Sequence, residues 1–302
     1  MALNKEIWLE TLIENLYADN SFVSKSIDDS SYVDNKTVHI PNAGRPSKVV
    51  KNNFGKAESI GSRTDSDLTY SIDDFKTLPI LITDAETAEL SYDKRSSVLA
   101  NDKEELQRVV HMSILENWAD GAGKIVKTTG EGIKAHTHSN ATGKRKAITR
   151  ADVLGLMTIF NKQELPLEGR TLLLDAEMYA QLLGDMSESD KYAFWALADA
   201  EKGILGKLYS FDIMLRSTVL RVKNDYETIL KEGEEGEATE CAGALAWHSS
   251  CVSRALGGVK MFERPDDPEH YGSVYSFEVR AGGYRRRADK KGIVLLVEDT
   301  AA

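Results

Sequence analysis

The sequence predicts a mixed α+β protein in which a compact α/β block is inserted into a discontinuous, strand-rich domain. One long amphipathic helix is predicted near residues 102–119, and short helices and apolar strands alternate between about 149 and 256. Strand patterns then return at the end of the chain. These closing strands need partners, and the earlier strands at Leu68–Ile82 are the best candidates, so the inserted block divides one domain in two.

The composition is that of a globular protein and excludes several classes. The 302 residues include 48 acidic and 38 basic ones, a net charge of −10, and 41% are apolar. An acidic chain is a poor candidate for a dedicated nucleic-acid binder. No apolar run approaches the ~20 residues of a membrane span. The charges within Met1–Asn20 argue against a secretory signal. With only Cys241 and Cys251, a disulfide scaffold is excluded and a reducing compartment is expected.

The N-terminal quarter combines an amphipathic segment, an arm and short strands. Apolar residues recur at near-helical spacing in Met1–Ala18, and Thr37–Pro41 has a strand pattern. Ser47–Asp67 is polar, carries two glycines and has no apolar face, so it is predicted to project as a loop or hairpin arm. Alternation then predicts strands at Leu68–Asp73 and Leu78–Ile82, the second at a sheet edge because of Pro79.

The predicted long helix has a start signal, an apolar stripe and a stop. Asp102 with Glu105 resembles a capping box, and Gly121 and Gly123 end the pattern. The stripe recurs every four residues at Leu106, Val110, Ile114 and Trp118. At 1.5 Å per residue such a helix is ~27 Å long and can support a thin, extended domain.

The middle of the chain is predicted to be an α/β block. It follows Lys124–Arg150, a second flexible region with seven basic residues and one acidic one. Thr149 and Asp152 open a helix with an apolar face. The further predicted elements are a strand at Arg170–Leu174, helices at Ala176–Leu183 and Ser189–Asp199, and a strand at Leu208–Leu215.

The last part of the chain is predicted to be rich in strands. Asp225–Glu240 carries seven acidic residues and one lysine, so it is expected to be a solvated loop. Ala242–Trp247 is predicted to be a buried strand, followed by a short helical piece to Leu256. Three strands close the chain, at Val259–Glu263, Ser273–Tyr284 and Gly292–Val297. The last is continuously apolar and should be central in its sheet.

Chemical motifs are few and incomplete. Asp120–Lys124 resembles a phosphate loop but has Trp118 and Ile125 where Gly and Ser or Thr are needed, so a glycine helix stop is favoured. His136 and His138 could form half of a metal site, yet no motif completes it. We predict no catalytic residues, no metal and no cofactor.

Further polar groups have a plain alternative beside the functional one. His248 and Cys251 could form a nucleophilic pair, although a buried structural cysteine is the more common case. The paired carboxylates Asp73-Asp74 and Asp266-Asp267 are expected on solvated surface. In Arg285-Arg286-Arg287, strand alternation would put Arg285 and Arg287 on one face, either solvated or in contact with acidic groups or phosphate.

The order of these segments resembles the major capsid proteins of tailed bacteriophages, which have the Hong Kong 97 capsid fold. The stretch before Pro41 is similar to the family's N-terminal arm, and Lys48–Tyr70 is similar to its extended β-hairpin loop. Asp74–Asp93 followed by Leu106–Gly123 resembles the strand and long spine helix of the peripheral domain. The block from about Thr149 to Leu256 resembles the inserted axial α/β domain, and Ala244–Glu298 resembles the return through the peripheral domain.

The resemblance implies four parts and a structural function. The parts are an N-terminal arm (1–47), an extended loop (48–75), a peripheral domain (76–146 and 258–302, with its spine helix at about 102–119) and an axial domain (147–257). It implies self-assembly into pentamers and hexamers of an icosahedral shell enclosing double-stranded DNA. It also implies a separate scaffolding protein, a portal and location in the virion after assembly in the bacterial cytoplasm. DNA contact is expected to be weak and non-specific, and no membrane is involved.

A shell subunit must meet several neighbours with the same surfaces. We expect basic residues of the arm to contact acidic surfaces of adjacent subunits, namely Asp225–Glu240 and Glu263–Glu269. The predicted contact residues are Lys48, Lys51, Lys56, Arg63, Arg285 and Arg287. Three alternatives remain open at this point: the shell subunit of an encapsulin-type bacterial nanocompartment, a hydrolase that uses Cys251 and His248, and a monomeric binding module.

Overall fold

The computed structural model describes residues 22–34, 36–44, 51, 63–83 and 94–301. These residues include four α-helices: α1 (Lys94–Asp120), α2 (Arg150–Lys162), α3 (Ala176–Gly184) and α4 (Glu188–Trp195). The strands are β1 (Ile27–Asp28), β2 (Val33–Asp34), β3 (Thr37–Asn42), β4 (Ser66–Ser71), β5 (Asp73–Lys76), β6 (Ile80–Thr83), β7 (Lys124–Lys127), β8 (Gly132–Lys134), β9 (Lys144–Lys146), β10 (Arg170–Leu174), β11 (Gly206–Leu208), β12 (Phe211–Leu215), β13 (Leu220–Val222), β14 (Ile229–Leu230), β15 (Cys241–His248), β16 (Val252–Asp267), β17 (Gly272–Arg285), β18 (Ile293–Val297) and β19 (Thr300–Ala301). The predicted helix at Met1–Ala18 lies outside the described residues.

An eight-stranded mixed sheet forms the centre of the α/β block. Strand β15 pairs along one edge with β18, which in turn pairs with β7. Along its other edge β15 pairs with β10 at one end and with β13 at the other. Strands β12 and β11 continue the sheet beyond β10, and β14 continues it beyond β13. The sheet therefore joins segments that are far apart in sequence.

Strand β18 is apolar throughout because both faces of the sheet are covered. Its side chains alternate between two cores. Ile293, Leu295 and Val297 belong to a core shared with Leu115 and Trp118 of α1. Val294 and Leu296 belong to a second core shared with Leu156 and Phe160 of α2. All five residues of β18 are buried, as expected of a strand in the interior of a two-sided sheet. The prediction that this strand is central is confirmed.

A long hairpin of β16 and β17 builds the second large sheet. The two strands pair from Val252 with Arg285 to Asp267 with Gly272. Strands β5 and β6 pair with successive parts of β17, so the predicted partnership between early and closing strands is confirmed for this hairpin. The same prediction was wrong for β18, which pairs with β15 and β7. The predicted helical piece to Leu256 is also wrong, because β16 already begins at Val252 after one 3-10 turn.

Helix α1 is longer than the sequence pattern predicts. It has 27 residues and begins at Lys94, so Asp102 and Glu105 lie inside the helix and do not cap it. Several residues before Asp102 have ordinary helix propensity, so the helix can form ahead of it. A capping pattern in the sequence marks a possible helix start, but it does not prevent the helix from beginning earlier. The predicted end is close to the observed one at Asp120.

Helix α1 lies close against β17 at Gly283. A Cβ atom on Gly283 would be 2.9 Å from Cγ2 of Ile114 and 2.8 Å from the carbonyl oxygen of Ser253. The backbone of β17 can therefore approach α1 only because this position has no side chain. Leu106, Val110, Ile114 and Trp118, the predicted apolar stripe, are all buried.

Two other sequence interpretations were wrong for identifiable reasons. Leu208–Leu215 is not one strand, because Tyr209 and Ser210 have φ of 47° and 71° and turn the chain between β11 and β12. Two positive φ values match a type I′ hairpin turn, but Tyr-Ser lacks the usual Asn or Gly signal. The basic region Lys124–Arg150 contains β7, β8 and β9 and is held by long-range pairing with β18 and β19, so it is not simply flexible.

The base of the predicted arm belongs to a three-stranded sheet in which β3 lies between β2 and β4. Strands β3 and β4 pair over six residues, from Thr37 with Ser71 to Asn42 with Ser66. Val38, Ile40 and Tyr70 bury their side chains in a small core beneath this ladder. Most of the segment between the two strands lies outside the described residues. None of the described helices is long and apolar enough to cross a membrane.

Candidate subunit-contact surfaces

The predicted contact residues of the arm are only partly within the described residues. Lys48 and Lys56 lie outside them, and Lys51 is exposed. Arg63 is exposed and donates two hydrogen bonds to Asp65, at 2.6 Å and 2.9 Å. Asp65 also accepts a hydrogen bond from the backbone N–H of Gly44, and these hydrogen bonds lower the pKa of its carboxyl. Arg63 and Asp65 thus help to join the two ends of the arm, at Gly44 and Asp65, within one chain.

The three consecutive arginines have three different environments. β17 ends at Arg285, so the predicted alternation that would align Arg285 with Arg287 does not hold. The Arg285 guanidinium lies 4.9 Å from the ring centroid of Tyr284. Arg286 donates to the carboxylate of Asp29 at 2.6 Å, and Arg287 donates to Asp289 at 2.6 Å and 2.9 Å. Separate anionic or aromatic partners explain how adjacent cations are tolerated.

Sequence reasoning missed the tight attachment of the segment that begins at Phe22. The Phe22 ring packs edge-on against Trp118 and Trp247, at centroid distances of 5.8 Å and 6.1 Å. The indole N–H of Trp247 donates to the carbonyl oxygen of Lys25 at 2.9 Å. Strand β1 then pairs in parallel with the start of β16. The segment therefore spans the junction between the two large sheets.

Two arginines complete this attachment. Arg254 donates to the carbonyl oxygen of Val23 at 2.7 Å and lies 3.5 Å from the carboxylate of Asp28. Arg286 meets Asp29, whose side chain is only 4% exposed. No periodicity marks either aspartate, and the arginine run was the only signal in the sequence. Removing one partner of a buried ion pair destabilises a protein much more than removing one partner of an exposed pair.

His136 and His138 face separate buried glutamates and do not converge on one metal position. Nε2 of His136 lies 3.1 Å from Asp175, and its Nδ1 lies 3.6 Å from Glu298. Nε2 of His138 lies 3.5 Å from Glu240 and 3.0 Å from the carbonyl oxygen of Glu237. The two rings thus attach the β8–β9 hairpin to the block through different carboxylates.

Burial and neighbouring charges together raise the pKa values of Glu298 and His136. Burial raises the pKa of the fully buried Glu298 carboxyl to about 7, although the nearby His136 ring opposes the change. Burial by itself would lower the pKa of His136, but the hydrogen bond to Asp175 and the charge of Glu298 outweigh it and raise that pKa. The carboxyl and the ring therefore both hold protons more tightly than they would in water.

The predicted solvated loop Asp225–Glu240 is exposed along most of its length but not at its end. Glu240 is fully buried, and its carboxylate accepts the backbone N–H of Glu237. Its carbonyl oxygen accepts two hydrogen bonds from the buried Arg145, at 2.8 Å and 3.1 Å. The prediction of solvated surface was thus wrong for Glu240, because its carboxylate turns inward to the N–H of Glu237 and lies 3.5 Å from His138 and 3.6 Å from Arg221.

The pair of Cys251 and His248 lacks the features of an activated nucleophile. Nδ1 of His248 lies 2.8 Å from the hydroxyl oxygen of Ser250 and accepts from the backbone N–H of that residue at 3.2 Å. Cys251 is 1% exposed, and burial raises the pKa of its thiol. Nucleophilic cysteines instead have lowered pKa values and access to substrate. The Cys241 thiol is likewise buried, with a raised pKa.

The loop Asp120–Lys124 is a helix stop. It follows the C-terminal end of α1, where free carbonyl groups repel phosphate, and not the N-terminal end of a helix, where phosphate binds. A Cβ atom on Gly123 would be 2.2 Å from the carbonyl oxygen of Lys290, so glycine is needed there for a close backbone contact.

The paired carboxylates have local cationic partners. Asp74 pairs with Lys36 and lies 3.0 Å from Arg280. Asp267 is 2% exposed, so its prediction as solvated surface was wrong. Its carboxylate meets Arg264 at 2.8 Å and His270 at 3.0 Å, and these contacts lower its pKa to about 2. Asp267, Glu269 and His270 place possible metal ligands within 4.8 Å, but Arg264 already neutralises Asp267.

Comparison with solved structures identifies the fold. The chain matches the capsid of cyanophage P-SCSP1u with a TM-score of 0.62 and 16% identity over 95% of this chain and 88% of that one. It matches a chain of Mycobacterium phage Che8 with a TM-score of 0.60 and 13% identity over 91% and 90%. It also matches a virus-like particle from Pyrococcus furiosus with a TM-score of 0.56 and 11% identity over 97% and 99%. No protein-family model and no curated protein matches the sequence.

The protein has the Hong Kong 97 capsid fold, as the order of its segments predicted. The match extends over about nine-tenths of both chains, so the described helices and sheets belong to one shared architecture. At these identities the comparison defines the fold and assigns no individual residue a function.

Proposed function

We propose that this chain is the major capsid subunit of a tailed bacteriophage, which assembles into the icosahedral head around double-stranded DNA. One observation carries the proposal: the chain shares its fold with phage capsid chains over about nine-tenths of its length and of theirs. The geometry around Cys251 and His248 gives no support to a cysteine hydrolase. A shell built from repeated copies uses the same surfaces at each contact, which suits a protein with many charged side chains on its surface.

We propose the domain division that the resemblance implies. Residues 1–47 form the N-terminal arm and 48–75 the extended loop, 76–146 and 258–302 the peripheral domain, and 147–257 the axial domain. The long β16–β17 hairpin beside α1 supports the peripheral assignment. The pairing of β18 with β15 supports a close attachment between the two domains at their shared sheet.

The arm supplies a specific hypothesis for contact between subunits. We propose that Lys48, Lys51, Lys56 and Arg63, together with Arg285 and Arg287, contact acidic surfaces of adjacent copies. The candidate surfaces are Asp225–Glu240 and Glu263–Glu269. Many such contacts act together in a shell, so each one can be weak. Further proposed partners are a scaffolding protein, a portal and packaged DNA, and the proposed location is the virion, after assembly in the host bacterial cytoplasm.

Electron microscopy and sedimentation of the purified chain test the proposed function. The expected result is closed shells or ring-shaped capsomers of many copies. A single species of 33.4 kDa at all concentrations would contradict the proposal. Particles recovered from cells should contain DNA, whereas shells filled with protein would indicate a nanocompartment. Lys51→Glu should impair assembly while leaving the folded subunit intact, and the exposed Lys162→Glu serves as a control outside the arm.

A further inference from the structure

The β8–β9 hairpin carries two opposed lysines on its outer face. Lys134 and Lys144 are directly paired across the ladder, and both are exposed. Like charges directly opposite one another destabilise a strand pair. The neighbouring Lys146 is neutralised by Asp299 at 2.7 Å, but within the described part of the chain neither Lys134 nor Lys144 has an ion-pair partner. The hairpin thus presents uncompensated positive charge to its surroundings.

The hairpin is firmly held, so the two lysines occupy a defined position. Arg145 points to the opposite face, where it is buried and donates to the carbonyl oxygen of Glu240. The backbone N–H of Thr142 donates to the carbonyl oxygen of Ala238 at 2.9 Å. His138 also contacts the backbone of Glu237 at 3.0 Å. The hairpin is therefore attached to the end of the acidic loop.

The acidic loop has free carboxylates of its own. Glu232 pairs with Arg108, and Glu237 pairs with Lys223. Glu234 and Glu235 are exposed, and among the described residues their carboxylates have no partner. The loop and the hairpin are joined through their backbones, yet no ion pair links these two glutamates to the two lysines within one chain. The two lysines and the two glutamates therefore each remain available to a partner outside the described part of the chain.

We propose that Lys134 and Lys144 of one subunit bind Glu234 and Glu235 of an adjacent copy. This inference rests on the proposed function, because it needs repeated copies side by side. Copies with a net charge of −10 repel one another. A local contact between opposite charges therefore selects the orientation in which two copies associate. A contact between two different surfaces of the same chain is heterologous and can close into a ring. In this arrangement the basic arm is left with Glu263–Glu269 as its acidic surface.

Charge reversal tests the contact. Lys134→Glu/Lys144→Glu should raise the protein concentration needed for assembly at least tenfold, as measured by light scattering and sedimentation. Adding Glu234→Lys/Glu235→Lys to the same chain should restore assembly. Lys162→Glu/Lys260→Glu makes the same change in net charge at exposed positions elsewhere and should leave assembly close to that of the wild type. Circular dichroism and thermal unfolding of the unassembled subunits check that each variant is folded.

Each other outcome overturns the inference in a recognisable way. If the double variant assembles as the wild type does, the lysines are not part of a subunit contact. If assembly is lost and the exchanged charges do not restore it, the acidic loop is not the partner. If assembly is unchanged but binding to a 30-base-pair DNA duplex falls, the lysines bind nucleic acid instead. A wild-type chain that never assembles overturns the proposed function itself, which distinguishes that failure from the other three.

Discussion

Trp118 of helix α1 donates its indole N–H to the carbonyl oxygen of Ser253 in strand β16 at 2.9 Å, in a fully buried position. This hydrogen bond joins the long helix to the hairpin that begins more than a hundred residues later. The same ring packs at 5.5 Å from Trp247 of the central sheet. Trp118 therefore lies where the helix and both large sheets meet.

Replacing this ring tests its contribution to stability. Trp118→Phe removes the donor and leaves the buried carbonyl oxygen of Ser253 without the indole N–H, which costs roughly 1–3 kcal/mol. The smaller ring adds a cavity and a further loss. We expect the free energy of unfolding of the subunit in urea to fall by roughly 2–4 kcal/mol. An unchanged urea midpoint would contradict this account of the junction.

Two neighbouring arginines offer a matched test of the N-terminal attachment. Arg286→Met leaves the buried carboxylate of Asp29 unpaired and should lower the free energy of unfolding by about 3 kcal/mol. Arg287→Met breaks an exposed pair with Asp289 and should cost less than about 1 kcal/mol. Urea unfolding of both variants measures the difference. Equal losses would mean that Asp29 is not held by Arg286 in the way the 2.6 Å contact indicates.

The Glu298 carboxyl predicts a particular pH dependence. Its pKa in the folded chain is about 7, above the ordinary value of 4.5, so the folded state binds the proton more tightly than the unfolded state does. Stability from this group is therefore present below about pH 4.5 and is lost as the pH rises to about 7. The raised pKa of His136 acts in the same direction, because its stabilising charge is also lost as the pH rises.

Glu298→Gln isolates this effect. The difference in unfolding free energy between wild type and variant should change by up to about 3 kcal/mol between pH 5 and pH 8, with the wild type losing stability relative to the variant. Asp175, Glu177 and Gln181 also contribute to this environment and remain in both proteins. Urea unfolding at several pH values supplies the measurement. A constant difference would contradict the raised pKa.

The two thiols should be inert in the folded protein. Cys241 is fully buried and Cys251 nearly so, and the pKa of each thiol is raised by burial. We expect an aromatic disulfide reagent, which releases a coloured thiolate when it reacts with a thiol, to react with neither cysteine under native conditions and with both in denaturant. Rapid reaction of one thiol in the native protein would revive the hydrolase alternative. Cys251→Ala identifies which thiol has reacted.

Local pattern in the sequence predicted much of the fold. The short apolar run Arg170–Leu174 predicted β10, and the apolar face after Thr149 and Asp152 predicted α2, which the structure begins with a capping box of these two residues. The continuous apolar run of β18 required a strand covered on both faces. The order of these elements indicated the fold class because each burial pattern has few compatible arrangements.

The sequence by itself determined which apolar side chains of the main helices and strands are buried and in what order those elements occur, because periodicity along the chain records the faces of each helix and strand. Only the tertiary structure decided which charges are neutralised. Asp29 finds Arg286, and His136 finds Asp175 and Glu298, across long separations that no local pattern encodes. Lys134 and Lys144 remain uncompensated for the same reason: electrostatic energy depends on distance in space, and folding alone sets those distances.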